Sequence, residues 1–161
     1  MKIRTLFIFL ALLMGITAVA QSPKREFRGA WIQCVNGQFQ GMSADAMKNM
    51  LVTQLDVLEQ TGINAIIFQI RAEADALYQS NYEPWSRFLT GQQGKAPNPY
   101  WDPLAWMIEQ CHARGMELHA WINPYRIRND TDTSSISCSN PAYKMLNTNH
   151  VKVIKDKGIF Y

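Results

Sequence analysis

The chain has 161 residues, with 16 Lys and Arg against 13 Asp and Glu and a formal net charge of +3. Hydrophobic residues make up 47% of it, enough for a packed core and too many for a disordered chain. No Lys/Arg run is longer than Lys24-Arg25, so the charge pattern offers nothing for counterion-release binding, and no nucleic-acid partner is expected.

Lys2 and Arg4 precede an apolar run from Leu6 to Val19 that closes on Ala18-Val19-Ala20. A charged start, an apolar stretch and small residues at the end are the pattern of a secretory signal peptide over residues 1–20, cleaved before Gln21. The run falls short of the roughly 20 residues a spanning helix needs. No Cys stands where a lipoprotein would carry one, so the expectation is an exported chain in the periplasm, cell envelope or medium, without a stable membrane anchor. Cleavage removes two basic residues, leaving 14 against 13 acidic ones and a net charge of +1.

The mature domain, residues 21–161, begins with a predicted strand over Phe27–Val35. Ser43 then caps a helix whose Met47, Leu51, Leu55 and Leu58 recur at the helical period until Gly62. Asn64–Ile70 is almost continuously apolar, as a parallel strand covered on both faces must be. Asp102 caps a second helix with Pro103 at its first position, where a missing N–H costs nothing, and Gly115 follows its end. Glu117–Ile122 reads as a third strand. A short helix capped by Asn140-Pro141 is expected further on, and Val151–Tyr161 carries no clear element.

Strand, helix, strand, helix, strand implies right-handed βαβ units on a parallel sheet. A doubly wound sheet and a (β/α)-barrel share that grammar. The first usually places a Gly-rich phosphate turn after its first strand, whereas here Asn36-Gly-Gln-Phe-Gln follows, which favours the barrel. The connection from Arg71 to Tyr100 is far longer than the roughly 2–6 residues usual between strand and helix. Barrels keep function in such loops.

Chemistry in a barrel comes from the C-terminal ends of the strands, here Val35, Ile70 and Ile122. Gln69 and Arg71 share parity in the second strand; His119, Trp121 and Asn123 share it in the third. A polar ring at the mouth is therefore expected. Tyr78, Tyr82, Trp85 and Phe88 crowd the long loop and Tyr125 follows the third strand, offering flat faces on which a sugar ring can stack. Phe88 and Trp101 read better as packing. Of the acidic residues only Glu73 and Asp75 lie in the right region, two apart on one loop, whereas glycoside hydrolysis needs carboxyl groups on both sides of the bond. Asp75 is the candidate catalytic carboxylate, with a substrate-holding or loop-ordering role as its first reading.

Cys34, Cys111 and Cys138 imply no disulfide framework, and Cys111 falls on an apolar helix face. No metal-ligand spacing or Gly-x-Gly-x-x-Gly motif occurs, so neither a metal site nor a cofactor is expected.

Phe27-Arg-Gly-Ala-Trp31, Gln69-Ile-Arg71, Asp75-Ala-Leu-Tyr78, Glu83-Pro-Trp-Ser86, Leu89-Thr-Gly91 and His119-Ala-Trp-Ile-Asn-Pro-Tyr-Arg126 together resemble the bacterial glycosyl-hydrolase-like family 10. The resemblance runs from about Arg25 to about Arg128. It implies a (β/α)₈ barrel with a sugar cleft, acting on cell-envelope glycan such as peptidoglycan strands stripped of peptide. Arg71, Asp75, Tyr78, Trp85, His119, Asn123, Tyr125 and Arg126 occupy the family's motif positions, and with Gln69 form the expected substrate-binding set. Ala72 departs from the Pro that members commonly carry. Only about the first three β/α units are present, without the fourth-strand motif in which the family is expected to hold a carboxylate. The expectation is therefore a hydrolase-like domain inactive by itself, with a non-catalytic glycan-binding protein or an inert gene fragment as alternatives.

Overall fold

In the computed structural model, which describes residues 26–161, the chain is an α/β domain built on two small sheets. The predicted signal peptide lies outside the described residues. Among the described residues no helix is long and apolar enough to cross a membrane.

Strands β1 (Gly29–Ile32), β2 (Ala65–Arg71) and β3 (Glu117–Ile122) pair in parallel in the order β1-β2-β3. Helix α1 (Ala44–Gln60) joins the first two. Ser43 caps it by accepting the Ala46 amide at 3.2 Å, and Met47, Leu51 and Leu55, spaced by four, form its buried stripe. Between β2 and β3 come a single turn, α2 (Arg87–Thr90), and helix α3 (Pro103–Ala113). Asp102 accepts the Ala105 amide at 2.9 Å, and Met107 and Cys111 face inward. These residues pack with Ile32, Ile66, Phe68 and Ile70 into the main core, so α1 and α3 cover the same side of the sheet.

The opposite side is open. Phe27 meets His119 edge to face at 5.2 Å between ring centres, and Trp31 meets Trp121 at 4.9 Å. At Gly29 a Cβ would come within 2.7 Å of the Ile67 side chain and 2.8 Å of the Phe27 ring, so a larger residue there would have to push both aside. A cavity of about 530 Å³ lies at the outer edge of β1 between Trp31 and the Gln54, Val57 and Leu58 side of α1, and reaches Gln33 and Gln38 just past the end of that strand.

Val151–Tyr161, for which the sequence offered no clear element, supplies two strands of a second, antiparallel sheet. Strands β4 (Arg126–Arg128), β5 (Lys152–Ile154) and β6 (Gly158–Phe160) take the order β4-β6-β5. Gly158 has φ +113°, and any side chain would collide with the Arg128 carbonyl oxygen, so the turn into β6 demands glycine. Asn140 does cap a short 3₁₀ helix, Pro141–Met145, by accepting the Ala142 amide at 2.8 Å. Ile127, Ile136, Ala142, Val151 and Ile159 form a second small core around Ala74 of the long connection. Cys34 and Cys111 are buried thiols and Cys138 is exposed; none is in a disulfide.

Candidate functional site

The C-terminal ends of β2 and β3 carry a polar rim. A bulge after Gln69 shifts the register, so that Gln69 lies opposite Trp121 but Arg71 lies opposite Ile122. Such a slip re-aims a side chain, and the Arg71 guanidinium turns to the long connection, where Nε and Nη2 donate to the Glu83 carboxylate at 2.6–2.9 Å. Its Nη1 donates to the Asn123 carbonyl oxygen. Burial opposes the Arg71 charge, but the hydrogen bonds and charge of Glu83 outweigh it and hold the group above its ordinary pKa. The Asn123 side chain is committed twice, donating to the Ala72 carbonyl at 2.9 Å and accepting from the Trp121 indole at 3.0 Å. It clamps the two strand ends together. Tyr82 and Tyr125 stand out from this rim, 85% and 70% exposed.

Beneath the rim lies a sealed layer. Glu73, 1% exposed, accepts two bonds from Arg87 at 2.9 Å and one from the Asn129 amide at 2.8 Å. Asp75 is fully buried; its Oδ2 accepts from Gln93 at 3.1 Å and from the Arg87 amide at 3.4 Å, while Oδ1 has no partner among the described residues. Burial, reinforced by the Glu73 charge, pushes the Asp75 carboxyl up to about 6 despite the hydrogen bonds that oppose it. Gln69 also belongs to this layer, its Oε1 accepting the Cys34 amide at 3.1 Å. Burial, with the nearby Asp75 charge, raises the Cys34 thiol far above its ordinary value, so it is no nucleophile. A cleft of about 160 Å³ at the end of β1 is lined by Cys34, Arg87, Phe88 and Gly91.

The remaining expected site residues separate. His119 lies in mid-strand, in register with Ile67, and pairs with Glu117 at 3.0 Å on the open face of the sheet rather than at the mouth. Trp85 is buried in the main core, its ring edge-on to Tyr100 at 6.1 Å, and Tyr78 packs on that core. Both order the loop, as do Phe88 and Trp101. Arg126 lies over the Phe160 ring at 5.8 Å.

Sequence reasoning missed Glu83 as the partner of Arg71, Arg87 as the partner of Glu73, and Tyr161. Glu83 and Arg87 were visible as oppositely charged residues within 12 and 14 positions of their partners. What was not visible was how the loop folds back: Ala76 donates to the Pro84 carbonyl at 2.9 Å and accepts from Ser86 at 2.8 Å, bringing both together. Tyr161 is exposed at the surface, and the charges of Arg71 and Glu83 both reach its phenol.

As a whole the rim offers exposed aromatic faces beside fixed, charged hydrogen-bonding groups, an arrangement suited to polyhydroxylated ligands. Among the described residues it offers no accessible carboxylate pair. The glycosyl hydrolase YngK of Bacillus subtilis is 47% identical over 132 residues, covering 79% of this chain and 25% of that protein. The glycosyl hydrolase DigH of Escherichia coli is 34% identical over 130 residues, covering 74% of this chain and 29% of its own length. The chain thus spans between a quarter and a third of these relatives. The model of the family described as "Glycosyl hydrolase-like 10" matches residues 26–158, and this chain belongs to that family.

Proposed function

We propose that the chain is the opening segment of a (β/α)₈ barrel whose strand ends form part of a glycan cleft, in a glycoside hydrolase acting on exported cell-envelope polysaccharide of the peptidoglycan type. The observation that carries the reading is the rim itself: Arg71 locked to Glu83 beside exposed Tyr82 and Tyr125, all at the C-terminal ends of parallel strands. Barrel enzymes put their chemistry at that end. The open face of β1-β2-β3 also supports the barrel, since parallel sheets are normally covered on both sides and this one presents Trp31 and Trp121 as an interior would.

Tyr82 and Tyr125 would stack on sugar faces. Arg71 and Glu83 would take hydroxyls, each holding the other in place and removing the entropy cost of ordering on binding. The acid–base pair must come from elsewhere in a complete barrel, because Glu73 and Asp75 are sealed and bonded to protein groups. That same observation favours a second reading, in which residues 26–161 bind glycan without cleaving it.

Reducing-sugar release from peptide-free peptidoglycan strands tests both, with this chain and the Bacillus subtilis relative assayed side by side. Turnover by the relative and none by this chain, with glycan retained by both, is expected. Turnover by this chain that disappears in Asp75→Asn would overturn the account of the carboxylates. Absence of glycan binding by either protein would overturn the glycan reading.

A further inference from the structure

Two buried carboxylates share one guanidinium in the long connection. Arg87 gives its side chain to Glu73, through bonds of 2.9 Å from Nε and Nη2, and its backbone amide alone to Asp75, at 3.4 Å. Asp75 is therefore fully buried beside the Glu73 charge, its Oδ1 without a partner among the described residues. The Cys34 thiol at the end of β1 is also close to it, and so is the Arg71 guanidinium at the end of β2, which is taken up by Glu83. From the side of the antiparallel sheet the approach is made by neutral amides; Cys138, the titratable residue of the Ser137–Asn140 turn, is exposed.

Gln93 joins these pieces. Its Nε2 donates to Asp75 Oδ2 at 3.1 Å, and its Oε1 accepts from the Ser137 amide at 3.0 Å and from Asn140 Nδ2 at 3.3 Å. One side chain thus ties the buried carboxylate to the turn that precedes the 3₁₀ helix. It is carried on a short segment bounded by Gly91 and Gly94, with φ of +83° and +86°, the left-handed region that other residues avoid. Gly94 seats the segment against that turn, where an added Cβ would meet the Ser137 hydroxyl at 3.0 Å. Gly91 lines the cleft of about 160 Å³ that it shares with Cys34 and Arg87. Gly91, Gln92 and Gly94 are exposed while Gln93 is buried, so lifting the segment withdraws Gln93 and brings water to Asp75.

We propose that Gly91–Gly94 is a pH-set flap: latched by Gln93 in acid, it lifts as the medium turns neutral and alkaline, hydrating the Asp75 carboxylate and opening the cleft at Cys34. The device goes beyond the glycan reading and does not depend on it. Its direction follows from where the proton is held. With the flap closed, burial above all, and then the Glu73 charge, lift the Asp75 carboxyl from 3.8 to about 6. Once the flap lifts, water restores the ordinary value. The closed form is therefore favoured most below about pH 4 and loses that advantage as pH rises through about 6. Between pH 5 and pH 8 the lifted population should grow about tenfold.

Labelling of Cys34 by dipyridyl disulfide reads the flap, in the whole chain carrying Cys138→Ser to remove the exposed thiol. Rates are normalised at each pH to those of a short unfolded cysteine peptide. Cys111, buried on α3 in the main core, is reached by wider unfolding and serves as the internal reference. The normalised Cys34 rate is expected to exceed that of Cys111 by about tenfold or more, as local opening outruns global unfolding. It should also rise about tenfold from pH 5 to pH 8, and Asp75→Asn should flatten that rise. Gln93→Ala should speed Cys34 labelling at pH 5 by about fivefold, the loss of one buried hydrogen-bonding side chain, whereas Gln92→Ala should leave it unchanged. Equal normalised rates at Cys34 and Cys111 would show that the thiol is reached by unfolding alone and would overturn the flap. A Cys34 rate indifferent to pH, or a rise that survives Asp75→Asn, would overturn its control by that carboxyl. A Gln93→Ala chain labelled no faster than its parent would overturn the latch.

Discussion

The long connection holds two arginine–glutamate pairs of like chemistry and unlike surroundings. In Arg87–Glu73 the carboxylate is the sealed partner: the glutamate is 1% exposed and accepts three bonds from the protein, while the Arg87 side chain is 24% exposed. Arg71–Glu83 is as well bonded, yet it borders the rim with Tyr82 and Tyr125 on the outside. The difference teaches that a charged residue inside a family motif need not face the ligand. The pair with the sealed carboxylate anchors the connection to the second sheet through Asn129, and the rim pair keeps its carboxylate partly open to solvent, 17% exposed against 1%.

Removing the sealed carboxylate should have the largest effect. Glu73→Ala leaves Arg87 and the Asn129 amide short of an acceptor, and a loss of about 3–5 kcal/mol is expected in urea unfolding. A loss under about 1 kcal/mol would show that Asp130, 3.6 Å from Arg87, takes over and that the pair is not the anchor described.

Asp75 sharpens the same contrast through pH. Its folded value of about 6 lies above the ordinary 3.8, so the folded state binds more protons between those values. Stability is therefore greatest below about pH 4 as far as this group is concerned, and it declines as pH rises through about 6. Asp75→Asn should remove that decline and gain on the order of 3 kcal/mol at pH 8. Melting curves for both proteins at pH 4 and pH 8 check it; parallel pH dependence would mean that the carboxyl is solvated.

The rim pair should cost less. Glu83→Gln keeps the shape and weakens the charged bonds to Arg71, with an expected stability loss of about 1–2 kcal/mol and a clear loss of glycan affinity in calorimetry. The smallest stability effect belongs to Tyr125→Ala, within about 0.5 kcal/mol for an exposed side chain. Its cost should appear instead as about tenfold weaker glycan binding, a loss of stacking. A destabilised Tyr125→Ala would show that the ring packs on protein.

Most of the parallel layer was legible in the sequence. Ser43 and Asp102 cap the helices as their residue types predict, the four-residue spacing of Met47, Leu51 and Leu55 defines the buried stripe, and the apolar run of β2 gives a strand. The antiparallel sheet was not legible, because its strands are three residues each and β5 is exposed throughout. Periodicity has no length in which to show itself there; the pairing is set by Gly158 and the sequence-distant β4. At the candidate site the residue types were legible and their depth was not. Glu73, Asp75 and Asn123 have the chemistry of ligand-binding residues, but their hydrogen bonds are spent on backbone and side chains brought in from up to 56 positions away.

The Ala74 peptide makes this dependence concrete. Its amide donates to the Ile127 carbonyl at 3.4 Å, and its carbonyl accepts from Asn140 at 2.7 Å, 66 positions further along. Contacts of that separation form late, since a long stretch of chain must be closed before they repay its entropy. Folding should accordingly proceed in two stages, the β1-α1-β2 crossover first, and the long connection only when β3, β4 and the Asn140 turn arrive. In pulse-labelled hydrogen exchange the amides of Ile66 and Phe68 would gain protection before those of Ala74 and Ala76. The rim, held by that connection, would be the last part of the molecule to become competent for a ligand.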